Sequence, residues 1–228
     1  MGDYSNMASY YDVIMTSGYY DYAKIVDSLV LQDSIEKVLE IGCGTGLILE
    51  ELARRKPSIQ ISGIDLTAPM LAIAKERLEP FKNVALSQQD VCNLSLPSTH
   101  NVAFSYGGVW YFVIDGDKEP FLVSHISDHE ANLQGFEKMA QHIAPNGTLL
   151  LGIQGPHHDY ETVISNGMKY SQKIDKYYLE NKIFVILFVN FLSSNKVRKI
   201  RGQNQECKEH YEYNFEFLSI CIILIKKV

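Results

Sequence analysis

The chain has 228 residues, 46% hydrophobic and 21% charged, with a formal net charge of −6 and a sequence pI near 5.6. That is enough apolar material for one three-layer α/β core, and the acidic balance argues against a nucleic-acid binder, which would need a basic face to neutralise phosphates. No signal peptide is expected from the opening residues, and the longest apolar runs, Ile183 to Val189 and Leu218 to Ile225, are too short to cross a bilayer, so no membrane role and a cytoplasmic home are expected.

The first 22 residues carry Tyr4, Tyr10, Tyr11, Tyr19, Tyr20 and Tyr22. Aromatic faces attract cations, and Tyr11 in Tyr10-Tyr11-Asp12 is the one expected to reach a ligand, while about half of these rings simply pack. A strand over Lys37 to Ile41 then runs into Glu40-Ile41-Gly42-Cys43-Gly44-Thr45-Gly46. Glycines permit a left-handed backbone and close approach of a ligand, and the helix that follows aims unpaired N–H groups at the same place. Glu40 adds a carboxylate at the carboxyl edge of the sheet, where open α/β folds bind ligands. A nicotinamide enzyme would need glycine where Leu47 stands, and Glu40 would repel a pyrophosphate. A phosphate-free ligand with a cationic group and a ribose fits better. The NAD(P)-dependent oxidoreductase and a non-catalytic binding protein stand as rivals.

Leu47, Ile48, Leu52 and Ala53 share one helical face that closes at Pro57, and a second strand, Ile59 to Ile64, ends at Asp65. Two carboxylate oxygens there can take both ribose hydroxyls, or can cap the helix starting near Thr67. A third strand over Val84 to Gln88 leads to Asp90, again either a ligand contact or a loop cap. The fourth, Asn101 to Ser105, runs into Tyr106-Gly107-Gly108-Val109-Trp110-Tyr111-Phe112. The glycines leave room for a ligand, and the aromatics are expected to wall a substrate pocket before a polar stretch to His129. Leu133, Phe136, Ala140 and Ile143 predict a helix that Pro145-Asn146-Gly147 stops before a fifth strand, Thr148 to Gln154. His157 and His158 follow at that strand's end, with His125 and His129 as further candidate bases.

Beyond Gly167, Met168 to Lys176 and Ile183 to Leu192 read as antiparallel strands and Leu218 to Lys226 as a closing strand, while residues 193 to 216 show no clear period. The basic run Lys196 to Arg201 reads as a solvated loop or strand edge. Four cysteines, Cys43, Cys92, Cys207 and Cys221, lack C-x-x-C spacing, so neither zinc nor a disulfide framework is indicated. Cys43 reads as a small residue within the glycine turn. No metal site is expected.

Glu40 to Gly46, Asp65 and Asp90-Val91 resemble the cofactor motifs of the class I (Rossmann-like) S-adenosylmethionine-dependent methyltransferases, over about residues 35 to 155. The resemblance implies a doubly wound, mostly parallel seven-stranded α/β sheet with an antiparallel C-terminal strand. It also implies an N-terminal helical lid (1–32), a cofactor-binding core (33–155) and substrate-side strands (156–228) in one domain. Gly42, Cys43, Gly44 and Gly46 would then wrap the methionine and ribose, Glu40 would lie beneath the amino group, and Asp65 would take the ribose. Leu66 and Met70 would border the adenine, Asp90 and Val91 would meet its amine and ring, and Tyr11 and Tyr106 would touch the cofactor. Motif IV lacks the Asp/Asn-Pro-Pro-Tyr signature of nucleobase and protein-amide enzymes, so the resemblance favours a small-molecule acceptor, an amine before a hydroxyl. His157, His158 and Tyr106 are the expected catalytic groups, in a monomer or homodimer.

Overall fold

The computed structural model describes residues 8–29, 35–114, 121–155, 160–163, 167, 169–172, 198–201, 209–215 and 218–226. Its centre is one mixed sheet built from β1 (Lys37–Ile41), β2 (Gln60–Asp65), β3 (Val84–Gln88), β4 (His100–Ser105), β7 (Ile143–Gln154) and β12 (Leu218–Lys226), all parallel to their neighbours in the order β3-β2-β1-β4-β7-β12. β11 (Glu209–Phe215) joins β12 antiparallel. The count of seven is the one expected, but β11 lies within residues 193 to 216, where the sequence showed no clear period, and the last strand is parallel to β7, with the antiparallel pairing between it and β11. β10 (Arg198–Arg201) adds an edge formed by the described part of the basic run, and β5 (Trp110–Val113) and β6 (Phe121–Ser124) bring the sheet to ten strands. A separate hairpin pairs β8 (Tyr160–Val163) with β9 (Lys169–Gln172). The expected strand over Ile183 to Leu192 lies outside the described residues.

Helices cover both faces, because the central strands are apolar on both sides and alternate residues must each find a layer. On one face Val38, Val102, Phe104 and Leu150 pack against α2 (Tyr22–Leu29), α3 (Leu47–Arg55) and α4 (Ala68–Leu78). On the other, Leu39, Ile41, Ala103 and Leu151 pack against α5 (His129–Gln141), with Phe136 and Met139 in the same cluster. Full burial of a side chain such as Leu39 contributes about 2 kcal/mol. At the N-terminus α1 (Ala8–Ile14) and a wide turn over Met15–Tyr19 precede α2.

Two sequence expectations shift. The aromatic run after Gly108 pairs as β5, parallel to β7 and antiparallel to β6, and lines neither of the two cavities at the carboxyl ends of β1, β2 and β4. Trp110 is wholly buried and stacks on Phe136, ring centroids 4.1 Å apart. Strand pairing won because alternation lets Trp110 fill the core while the backbone extends the sheet. Pro145-Asn146-Gly147 is likewise not a clean stop but an irregularity in a longer β7, whose register jumps from His100↔Ile143 to Val102↔Thr148. Asn146 takes φ +61 there, the left-handed conformation Asn tolerates.

At the opposite edge from the strand ends, His100 is buried, its Nδ1 donating to the His142 carbonyl (3.3 Å) and its Nε2 accepting from Ser62 Oγ (3.0 Å). Burial holds its pKa below the ordinary histidine value. Its contribution to stability is therefore complete above the unfolded pKa of about 6.5 and is lost as pH falls through the lower folded value. We expect Tm to drop more steeply between about pH 6.5 and 5 in the native protein than in His100→Asn, read by thermal melts across that range; parallel slopes would remove His100 from the account.

Candidate functional site

Two adjoining cavities open at the carboxyl ends of β1, β2 and β4, on either side of the glycine turn after β1, and share Tyr11, Gly42 and Gly107. The larger spans about 820 Å³ up to its open mouth. Asp65, Leu66, Thr67 and Met70 follow β2 along one wall, Gln89, Asp90 and Val91 follow β3, and Gly108, Val109, His125 and Ile126 form the far wall. The smaller, about 340 Å³, lies among Tyr20, Tyr22, Tyr106, Glu40, Cys43 and Thr45. β1 is the point where the strand order reverses, so its two neighbours' loops part there and leave the crevice.

The glycine turn is fixed by its own amides. Gly42 and Cys43 N–H both donate to the Ile64 carbonyl at 2.9 Å, and Gly44 N–H donates to Asp65 Oδ2 at 2.8 Å. Gly42 has φ +75, and a Cβ there would stand 3.0 Å from Gly108 Cα, so the turns after β1 and β4 touch backbone to backbone. Gly44, φ +53, would meet nothing nearer than Tyr11 Cε1 at 3.9 Å, leaving bare backbone toward the cavities. Gly46 lines neither cavity: it precedes α3 and seats against Leu78 Cδ1 of α4, 2.9 Å from where its Cβ would be.

Glu40 is 3% exposed, and among the described residues its Oε2 is the buried side-chain oxygen that finds no partner. Burial first, then the charge of Asp65, raises its pKa well above the carboxylate range. A buried carboxyl oxygen with no hydrogen-bond donor, facing a cavity of tyrosine rings, is complementary to a cation with N–H groups. Asp65 already accepts Thr67 N–H on Oδ1 (2.8 Å) beside Gly44 on Oδ2. The capping reading and the ligand reading therefore coexist, since two oxygens offer about four acceptor sites. Asp90 accepts Cys92 N–H (2.9 Å) as the cap of a short turn over Val91–Asn93, and still lines the cleft. Leu66 is 42% exposed beside buried Met70 and Val91, an apolar strip open to a flat ring.

Tyr106 stands in the smaller cavity, edge-on to Tyr20 with centroids 5.2 Å apart. Its phenol is pushed up to about 12 by burial and then by the charge of Asp21, so it keeps its proton at neutral pH. The Cys43 thiol is raised well above its usual range by burial, then by Glu40 and Asp65, which leaves it a small packed group rather than a nucleophile. His157 and His158 lie outside the described residues. His125 does reach the cleft, with its backbone N–H on the Val109 carbonyl at 3.0 Å and its ring centroid 6.1 Å from that of Tyr111.

Other residues at the site were given no role by the sequence. Asn132 on α5 accepts from Trp110 Nε1 (2.9 Å) and Ser124 Oγ (2.5 Å) and donates to the carbonyls of Ile126 and Asp128 (2.7 Å each), which fixes the segment bearing His125 and Ile126. Gln154, at the end of β7, donates to Tyr20 Oη at 3.1 Å. Thr45, Asp12 and Arg77 meet at the N-terminus of α3. A polar residue at a strand's carboxyl end was the one available signal, and it applies to Gln154 alone.

Residues 38–147 match the family model described as a methyltransferase domain. The chain is 39% identical over 69 residues to malonyl-[acyl-carrier protein] O-methyltransferase of Bacillus anthracis, covering 30% of this chain and 25% of that protein. It is 38% identical over 73 residues to ribosomal RNA small subunit methyltransferase A of Persephonella marina, covering 32% and 27%. The match thus spans about a quarter of the length of these relatives. Among solved structures it is similar to S-adenosylmethionine-bound CalS10, an amino pentose methyltransferase from Micromonospora echinaspora, at 16% identity and TM-score 0.48 over 90% of this chain and 69% of that one. The glycine turn, Asp65 and strands β2 to β4 all lie inside residues 38–147, the segment that matches a methyltransferase domain.

Proposed function

We propose that this chain moves a methyl group from S-adenosylmethionine to a small molecule, an amine nitrogen in preference to a hydroxyl, in the cytoplasm. The observation that carries the reading is the unpartnered buried oxygen of Glu40 facing the smaller cavity. In this reading Glu40 accepts the ammonium of the cofactor's methionine end, and Tyr11, Tyr20 and Tyr106 surround the positive charge. Gly42 and Gly44 let the chain of the molecule cross between the cavities. Asp65 takes the ribose hydroxyls, and Leu66, Met70 and Val91 sandwich the adenine, with Asp90 at its exocyclic amine. When bound, the cofactor supplies an electrophilic methyl on a sulfonium, so the protein has chiefly to hold an acceptor lone pair in line with it.

Gly107 and Gly108 leave the space for that approach, beside Val109 and His125. An amine acceptor needs only to shed its proton, and a phenol held at about 12 in Tyr106 suits orientation through its O–H rather than proton removal. A hydroxyl acceptor would need a positioned base. The place of His125 on the cleft supports that second reading, as would His157 or His158.

Labelled methyl donor incubated with pooled metabolites should leave label on nitrogen in a small product identified by mass spectrometry. Label on oxygen would turn the choice to the second reading, and tight cofactor binding without any transfer would point to a binding protein. Asp65→Ala should weaken S-adenosylhomocysteine binding by about tenfold or more, since a charged acceptor is removed and the glycine turn loses its anchor. Because Glu40 sits well above the ordinary carboxylate range when alone, an ammonium arriving beside it should drive its proton off. Calorimetry in buffers of different ionisation enthalpy should therefore show proton release on binding, absent in Glu40→Gln; buffer-independent heats would remove Glu40 from the ammonium site.

A further inference from the structure

Asp12, on α1 next to Tyr11, reaches across to the body of the domain. Its Oδ1 accepts from Thr45 Oγ1 at 2.5 Å, and its Oδ2 accepts from Arg77 Nη2. Arg77, on α4, also donates from Nε to the Thr45 carbonyl (2.9 Å) and from Nη1 to Glu50 Oε2 (2.8 Å) on α3. One planar guanidinium thus serves three elements, the geometry that distinguishes arginine from lysine.

The partners divide unequally. Glu50 and Thr45 belong to the glycine turn and α3, and remain on Arg77 whatever α1 does. Only Asp12 comes from the N-terminal segment. If α1 lifts, Arg77 keeps a carboxylate and a carbonyl and is not left as a naked charge, so parting costs one ion pair and one hydroxyl bond rather than a stranded cation. α2 is fastened differently, with Ile25, Val26 and Leu29 sunk in the core, whereas the described side chains of α1 bury only Ala8 and Ile14. Polar contacts therefore carry a larger share of the hold on α1. The side chains of Arg77 and Asp12 are 20% and 28% exposed, within reach of dissolved ions.

Tyr11 is the one residue of α1 that lines both cavities, so whatever seats Asp12 also seats Tyr11 over the glycine turn. We propose that Asp12, Arg77 and Thr45 form a charged latch that holds α1 closed over the cofactor channel, and that the cofactor leaves when this latch parts. The proposal rests on the cofactor reading above, and Asp12 and Arg77 are positioning residues in it, acting through Tyr11.

The test compares wild type, Asp12→Asn and Asp12→Glu from about 0.02 to 0.5 M sodium chloride. It follows hydrogen exchange of the α1 amides and the dissociation rate of S-adenosylhomocysteine. In wild type both should accelerate with salt. In Asp12→Asn both should be faster at low salt, release by about three- to tenfold, with little further salt effect; Asp12→Glu, which keeps the charge, should recover part of the slow release. Faster exchange with unchanged release in Asp12→Asn would overturn the gating role, and unchanged exchange would overturn the latch. Wild-type protein that binds no S-adenosylhomocysteine would instead sink the cofactor reading and the gating with it, so the two failures are told apart.

Discussion

The crossing of the glycine turn over the end of β2 is the contact on which the rest of the site depends. The Ile64 carbonyl takes two amides, which no side-chain change can remove, and the Asp65 carboxylate takes a third, so the turn after β1 is stitched to the neighbouring strand by backbone and by one side chain. That stitching demands left-handed φ at Gly42 and Gly44 and turns the remaining surface of the turn toward the cavities. The same carboxylate that pins the turn also faces the cleft. Structural and ligand-facing roles are carried by different lone pairs of one residue, and the turn's shape and the cleft's charge cannot vary independently.

Acidic groups dominate the pocket. Glu40, Asp65 and Asp90 line the two cavities, whose linings include no arginine or lysine, and Arg77 is occupied with Asp12, Glu50 and the Thr45 carbonyl. Burial first, and then the like charge of Asp65, raises the cost of ionising Glu40. A ligand with a diffuse positive charge at one end and an uncharged nucleoside at the other relieves the strain at both ends, whereas a diphosphate would add to it.

The cofactor half of the fold was legible because its signals are local. β1 to β3 and the two helices between them each announce themselves within a dozen residues, by apolar strands, glycines, and Asp65 and Thr67 before a helix; Thr67 indeed precedes α4. Trp110-Tyr111-Phe112 was ambiguous for a physical reason: large aromatics serve equally in a pocket wall and in a strand, and only the distant partners, β6 and β7, decide. Arg77 was invisible for a related reason. Its partner Asp12 lies 65 residues away, and in the sequence it is one more basic residue in the last turns of a helix. Asn132 likewise looks like an ordinary helical asparagine until the hairpin folds over it.

The burial of Trp110 has a practical corollary. It is the sole tryptophan in the chain, stacked on Phe136 and hydrogen-bonded to Asn132, two bonds of which secure the segment behind Ile126 and His125. Native emission from this indole is therefore a built-in optical gauge of the far wall of the cleft, where an acceptor would dock. An optical change on adding a candidate acceptor reports that wall without any label.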